Sequence, residues 1–221
     1  MRPAKEIRPN EAARALYIDF EGCKDQAPVL LGCARRPGRG PTRWAWQAIT
    51  DPSFEPLGRA DGIEVLTLSA AVERILQRAE SNDCRIVAWS QHELDVVEKY
   101  CPEKLDRVAP RFVNARAVAV RWRNKCHGGH KRETNTLADF LDLIAYEVAG
   151  PAGPGFTGET IRIVRKSLEK GQGIAGLTEH QLRRWKDLRE HNLHDCVGMR
   201  RVTFEASREV AARAIRVAGA A

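Results

Sequence analysis

The sequence predicts an α/β domain built on a mixed central sheet, three antiparallel strands followed by parallel ones, with helices on both faces. Three observations lead there. Three strand-like segments follow one another near the N-terminus. A helical segment then separates them from a short apolar strand, the crossover that parallel pairing requires. The rest of the chain is dominated by helical periodicity.

The strand run begins after a polar lead, residues 1–14, with Ala15-Leu16-Tyr17-Ile18-Asp19-Phe20-Glu21-Gly22, in which apolar residues bracket two acids before a glycine turn. Residues 28–34, PVLLGCA, and 43–49, RWAWQAI, form the next two, separated by the turn-rich RRPGRGP. Between Leu66 and Ala79, apolar residues at Leu68, Ala71, Val72, Ile75, Leu76 and Ala79 fall at helical spacing, with Thr67 or Ser69 as cap. Cys84 to Trp89 reads as a buried strand, and Gln91 to Tyr100 as a helix that stops before Pro102. Phe112-Val113-Asn114 is short and ambiguous. Helices are expected over 136–148, 158–168 and from Thr178 onwards, with GPAGPGFTG as a loop inside one domain that runs from 15 to 221.

The chain of 221 residues is long enough for a full core, and 43% hydrophobic with 29% charged residues is the balance of an ordered protein. Thirty-six Lys and Arg against 29 Asp and Glu leave +7, which favours a polyanionic partner. The cations gather in stretches: Arg35, Arg36, Arg39 and Arg43; Arg116, Arg121, Arg123, Lys125, Lys131 and Arg132; Arg183, Arg184, Lys186 and Arg189. Six Cys without a CxxC pair imply reduced thiols and a cytoplasmic location. No run approaches the ~18 apolar residues of a membrane span, so no membrane partner is expected.

Asp19 and Glu21 alternate with apolar neighbours and so share one strand face with Tyr17, while Leu16, Ile18 and Phe20 share the other. Two acids on one face of a central strand repel unless one protonates, the strand lies at an edge, or a cation sits between them. Their hard oxygen ligands suit Mg²⁺ or Mn²⁺, and two such ions can hold the attacking and leaving oxygens of a phosphodiester. A second acidic signal lies where strand runs into helix, at Trp89-Ser90-Gln91-His92-Glu93-Leu94-Asp95. Val96, Val97 and Tyr100 follow Glu93 on its helix face, whereas Asp95 shares its face with Glu98 and Lys99. Glu93 is therefore the preferred second acid and Asp95 the alternative. In the third, Arg189 to Cys196, His191 and Asp195 stand one helical turn apart, an imidazole beside a carboxylate and a natural general base.

Taken in order, Tyr17-x-Asp19-x-Glu21-Gly22, Trp89-Ser90-x-x-Glu93 and His191-Asn192-x-x-Asp195-Cys196 resemble the DEDD exonucleases. They are most similar to the group of predicted nucleases with a ribonuclease-H-like domain whose third motif reads Tyr-Asn-x-x-Asp. Arg111 to Asn114 and Asn135 to Phe140 are similar to that group's intervening strand and helix, so the resemblance spans about residues 15 to 205. His191 stands where the group has Tyr, and Asn114 where it commonly has Asp. The resemblance implies a ribonuclease-H-like sheet of five strands and two divalent ions held by Asp19, Glu21, Glu93 and Asp195. It also implies hydrolysis of DNA or RNA phosphodiesters, usually from the 3′ end. The alternative is a ribonuclease-H-like nucleic-acid-binding module without turnover.

Two further clusters are read more plainly. Cys126-His127-Gly128-Gly129-His130 offers three zinc-type ligands but no partner pair at a known spacing, and is taken as a basic loop. Trp44 and Trp46 share a strand face and are assigned to packing rather than base stacking.

Overall fold

The structure, a computed structural model, describes residues 4–35, 44–128, 134–146 and 156–218. The cations at 36, 39, 43, 131 and 132, His130 and most of the Gly/Pro stretch lie outside those residues, as does the side chain of Trp44.

In chain order the elements are α1 (Pro9–Arg14), β1 (Leu16–Glu21), β2 (Leu30–Arg35), β3 (Trp44–Ile49), α2 (Glu55–Asp61), β4 (Glu64–Val65), α3 (Leu68–Ser81), β5 (Ile86–Ala88), α4 (His92–Tyr100), α5 (Leu105–Val108), β6 (Phe112–Asn114), α6 (Ala115–Cys126), α7 (Leu137–Leu143), α8 (Phe156–Ser167) and α9 (Glu179–Ala218). The six strands form one mixed sheet in the order β4-β3-β2-β1-β5-β6. β1, β2 and β3 pair antiparallel, while β5 runs parallel to β1, β6 parallel to β5 and β4 parallel to β3. The α/β class and the antiparallel-then-parallel order agree with expectation. The strand count does not: β4, two residues long, adds a sixth strand at the outer edge, and so short a segment has no periodicity to read.

Alternation along β1 divides the core. Leu16, Ile18 and Phe20 join Ile75, Leu76 and Val97 of α3 and α4 on one face. Tyr17 joins Val87, Val113, Trp122, Phe140 and Met199 on the other, beneath α6, α7 and α9. A third cluster, with Val29, Ile49, Phe54 and Trp185, fills the space beneath α2, α8 and the first part of α9. Thr67 caps α3 through the amide of Ala70 at 3.1 Å. The helix expected over 136–148 ends at Leu143, because Ala145 turns to a left-handed φ of 50°. The polar lead folds back as well: Ala4 bridges Val113, and the Tyr17 hydroxyl donates to the carbonyl of Ala12 in α1 at 2.7 Å.

Among the described residues no helix is long and apolar enough to cross a membrane. All six cysteines are free thiols. Trp46 packs at the margin of the α3 face, with the Arg74 guanidinium 5.3 Å from its ring centre.

Candidate active site

β1 ends at Glu21 because Gly22 passes close to Pro28, where a Cβ would meet the Pro28 Cα at 3.0 Å, and the chain leaves in a turn. That delivers Asp19 and Glu21, on the same face as Tyr17, to the end of the sheet at which the parallel strands finish. β5 finishes at the same end, and Trp89-Ser90 lead into the first turn of α4 with Glu93. The 40 residues of α9 cross the sheet face, touching both β1 and β2, and lay His191, Asn192 and Asp195 over Asp19.

Burial and charge shape these acids. The Asp19 carboxyl is pushed up to about 7, first by burial and then by Asp195. Burial together with Asp19 and Asp195 pushes Glu21 well above the carboxylate range. Glu93 is pushed up to about 7 by burial and then by Asp19, and Asp195 up to about 6 by burial. Asp19 and Glu21 stand near enough that a proton on one changes the affinity of the other. Among the described residues neither Asp19, Glu21 nor Glu93 forms an ion pair with Lys or Arg, and the ion-pair partner of Asp195 is His191, Nε2 to Oδ2 at 3.6 Å. Burial also lowers the His191 imidazole, which keeps it neutral near pH 7.

The sequence-predicted residues thus converge electrostatically from β1, α4 and α9. Glu93 is 5% exposed and accepts from the Ser90 hydroxyl at 3.3 Å, whereas Asp95 is exposed and accepts from Gln91 at 3.2 Å. Within the described residues, no group of three or more His, Cys, Asp or Glu side chains is arranged to hold a metal ion. Cys126 and His127 likewise belong to no such group. His127 lies 3.2 Å from Glu209, edge-on to the Trp122 ring.

The donor chemistry of the acids nevertheless fits a hard cation, since all four offer carboxylate oxygens. Repulsion between them also opposes close approach until a positive charge is supplied.

Three contributors escape local sequence reasoning. Asn192, fully buried, donates from Nδ2 to the Asp19 carboxylate at 2.8 Å and to the Asp19 carbonyl at 3.1 Å. Its Oδ1 accepts from Gln47 Nε2 at 3.1 Å, and the same Gln47 group reaches the carbonyl of Arg189 at 2.8 Å. This strut lies across β2 at Gly32, which pairs with Asp19 on one side and Gln47 on the other. A Cβ on Gly32 would sit 2.0 Å from Asn192 Oδ1. A glycine inside a strand marks such close approach, and that was the readable signal. The third contributor is Thr157 of α8, whose side chain hydrogen-bonds Glu21.

Comparison with family models, with curated proteins and with solved structures finds no match to this chain. The functional reading therefore rests on the site itself.

Proposed function

We propose that this protein is a divalent-metal-dependent nuclease of the ribonuclease-H-like type, hydrolysing nucleic-acid phosphodiesters from the 3′ end. One observation carries the reading. Four acids from three separate elements are gathered at one end of the sheet, three of them buried or nearly so, without a Lys or Arg partner among the described residues. Holding unneutralised carboxylates out of water costs several kcal/mol per ion, which a stability role does not explain and a cation-binding role does. The order of the motifs, which resembles that of the DEDD exonucleases, supports the same reading.

Asp19, Glu21, Glu93 and Asp195 would hold the metal, and two divalent ions, when bound, supply charge stabilisation for the attacking and leaving oxygens. The remaining steps fall to this chain's own groups. His191, neutral at pH 7, accepts a proton from the water that attacks phosphorus. The bond from phosphorus to the 3′-oxygen breaks, that oxygen takes up a proton, and a nucleoside 5′-monophosphate leaves. Asn192 fixes the orientation of Asp19, and Ser90 and Thr157 do the same for Glu93 and Glu21.

The test is degradation of a 5′-labelled oligonucleotide with Mg²⁺ or Mn²⁺, comparing wild type with Asp19→Asn and Asp195→Asn. Cleavage should require the metal and vanish in both variants while circular dichroism stays unchanged. Undiminished cleavage in excess chelator, or by either variant, would sink the proposal. A wild type that binds strands without cutting them in either metal would favour the non-catalytic module instead.

A further inference from the structure

The outer side of α6 carries a basic groove that the chemistry of the acids does not use. Its volume is about 740 Å³, and its cations are Lys5, Arg116, Arg121 and Lys125, with the amides of Asn124 and Asn135 among them and, among the described residues, no Asp or Glu in its walls. Arg116, Arg121 and Lys125 flank the outer half of α6, Arg116 on one side and Arg121 with Lys125 on the other, because Ala115, Val118, Ala119 and Trp122 turn the opposite half into the core. Helical rise also spaces them by about 7.5 and about 6 Å along the axis, so the groove between the two flanks has cations on both sides, which suits a polyanion lying in it. Arg121 pairs with Glu6, while Arg116 and Lys125 form no ion pair among the described residues. Another Arg-lined cavity, at the opposite end of the parallel strands, has only Arg14 of its four arginines without an ion pair among the described residues. There Arg8 and Arg85 pair with Glu11, and Arg111 pairs with Asp83.

Position links the α6 groove to the acids. β6 leads directly into α6, and the amide of Arg116 donates to the carbonyl of Trp89 at 2.9 Å, beside the turn that carries Ser90 and Glu93. β6 lies two strands from β1, about 10 Å at the usual strand spacing. The groove therefore opens at the same end of the sheet as Asp19.

We propose that the α6 groove binds the sugar-phosphate backbone of the nucleic-acid strand whose terminus lies at the acids. This rests on the nuclease reading. Among the described residues the groove has no aromatic side chain on which a base could stack, and its apolar members are Ala117 and Val120. Binding is thus to phosphate and indifferent to base sequence.

The experiment is fluorescence anisotropy with labelled single-stranded 20-mers of different sequence, in chelator so that no strand is cut. Wild type is compared with the triple variant Arg116→Gln, Arg121→Gln, Lys125→Gln. The control carries the same charge change elsewhere, Arg59→Gln, Lys166→Gln, Lys170→Gln. Three lost phosphate contacts should weaken binding about tenfold or more at low salt and flatten the log–log salt slope by about 2. The control should bind as wild type does for every sequence. Hydrolysis of a p-nitrophenyl ester of thymidine 5′-monophosphate, too small to reach the groove, should be equal in all three proteins. Unchanged affinity in the α6 variant overturns the groove while cleavage by wild type keeps the nuclease reading. Groove-dependent binding without any cleavage keeps the groove and overturns that reading. Displacement of the strand by polyglutamate as readily as by unlabelled DNA overturns the assignment to nucleic acid.

Discussion

Replacing Gly32 with alanine should be far more damaging than a glycine-to-alanine change in a strand normally is. Alanine is intrinsically favoured there by roughly 0.5–1 kcal/mol. At this position, however, its Cβ would lie 2.0 Å from Asn192 Oδ1 and 2.6 Å from Asn192 Cγ. The Asn192 side chain cannot swing aside cheaply, because it is fully buried and held by Asp19 on β1 and Gln47 on β3. Expelling it forfeits one hydrogen bond to a carboxylate, worth about 1.5–3 kcal/mol, and two neutral ones worth about 1 each. Overpacking adds about 1–3 kcal/mol. Gly32→Ala should therefore lose about 5 kcal/mol or more in urea unfolding, whereas Asn192→Ala should lose about 4. The double variant is the decisive one. With the Asn192 amide gone the new methyl has room, so Gly32→Ala/Asn192→Ala should be no less stable than Asn192→Ala alone, a strong coupling in the double-mutant cycle. A Gly32→Ala protein within about 1 kcal/mol of wild type, or a double variant that loses the sum of the two single changes, would refute the strut.

Four further outcomes follow from the acids and His191. Asp19 and Glu93 each rise to about 7 and Asp195 to about 6, so between pH 4 and 7 the folded state holds protons that the unfolded chain has released. Stability in chelator should accordingly fall as pH rises through that window, with Glu21 adding to the fall and His191 opposing it in part. A melting temperature that climbs steadily from pH 5 to 8 in chelator would contradict this. Saturating Mn²⁺ should raise the melting temperature more at pH 8 than at pH 5, since the ligands must be deprotonated to bind; equal shifts at both pH values would exclude the acids as ligands. Glu93→Gln should abolish cleavage yet stabilise the metal-free protein at pH 8 by up to about 3 kcal/mol, while Asp95→Asn should change neither quantity; the reverse pattern would make Asp95 the second acid. His191→Ala should lower the cleavage rate by about 10²–10⁴ and make the acid limb of its pH profile, which the metal-ligating acids share, less steep, with His191→Tyr milder; an unaltered rate and profile would make His191 a bystander.

What could be read from the sequence was local. Alternation in Leu16 to Glu21 places both acids on the Tyr17 face, and the spacing of Val96 and Val97 after Glu93 turns that side chain inward and leaves Asp95 in solvent. Periodicity likewise finds α3, because its apolar stripe is regular. It misses α6, whose sequence ARAVAVRWRNKC scatters cations among the buried positions and reads as a basic segment. It leaves β6 undecided, since three residues cannot show a period, and the parallel pairing with β5 that makes them a strand is not a local property. The full acid constellation is least legible of all. Asn192 reaches Gln47 across 145 residues and Asp19 across 173. Nothing in the composition of either neighbourhood announces the contact except a glycine in mid-strand.

That glycine also bears on why the acids stand as they do. Asn192, Ser90 and Thr157 each contribute a hydrogen bond that favours ionised carboxylate, yet burial outweighs them and leaves Asp19, Glu21 and Glu93 raised. A site selected only for stability would place an Arg where Asn192 lies, or an apolar residue at position 19. Gly32 instead admits a neutral amide, which orients Asp19 without cancelling its charge. Orientation without neutralisation is what a carboxylate needs if its charge is to be spent on a cation from outside the chain.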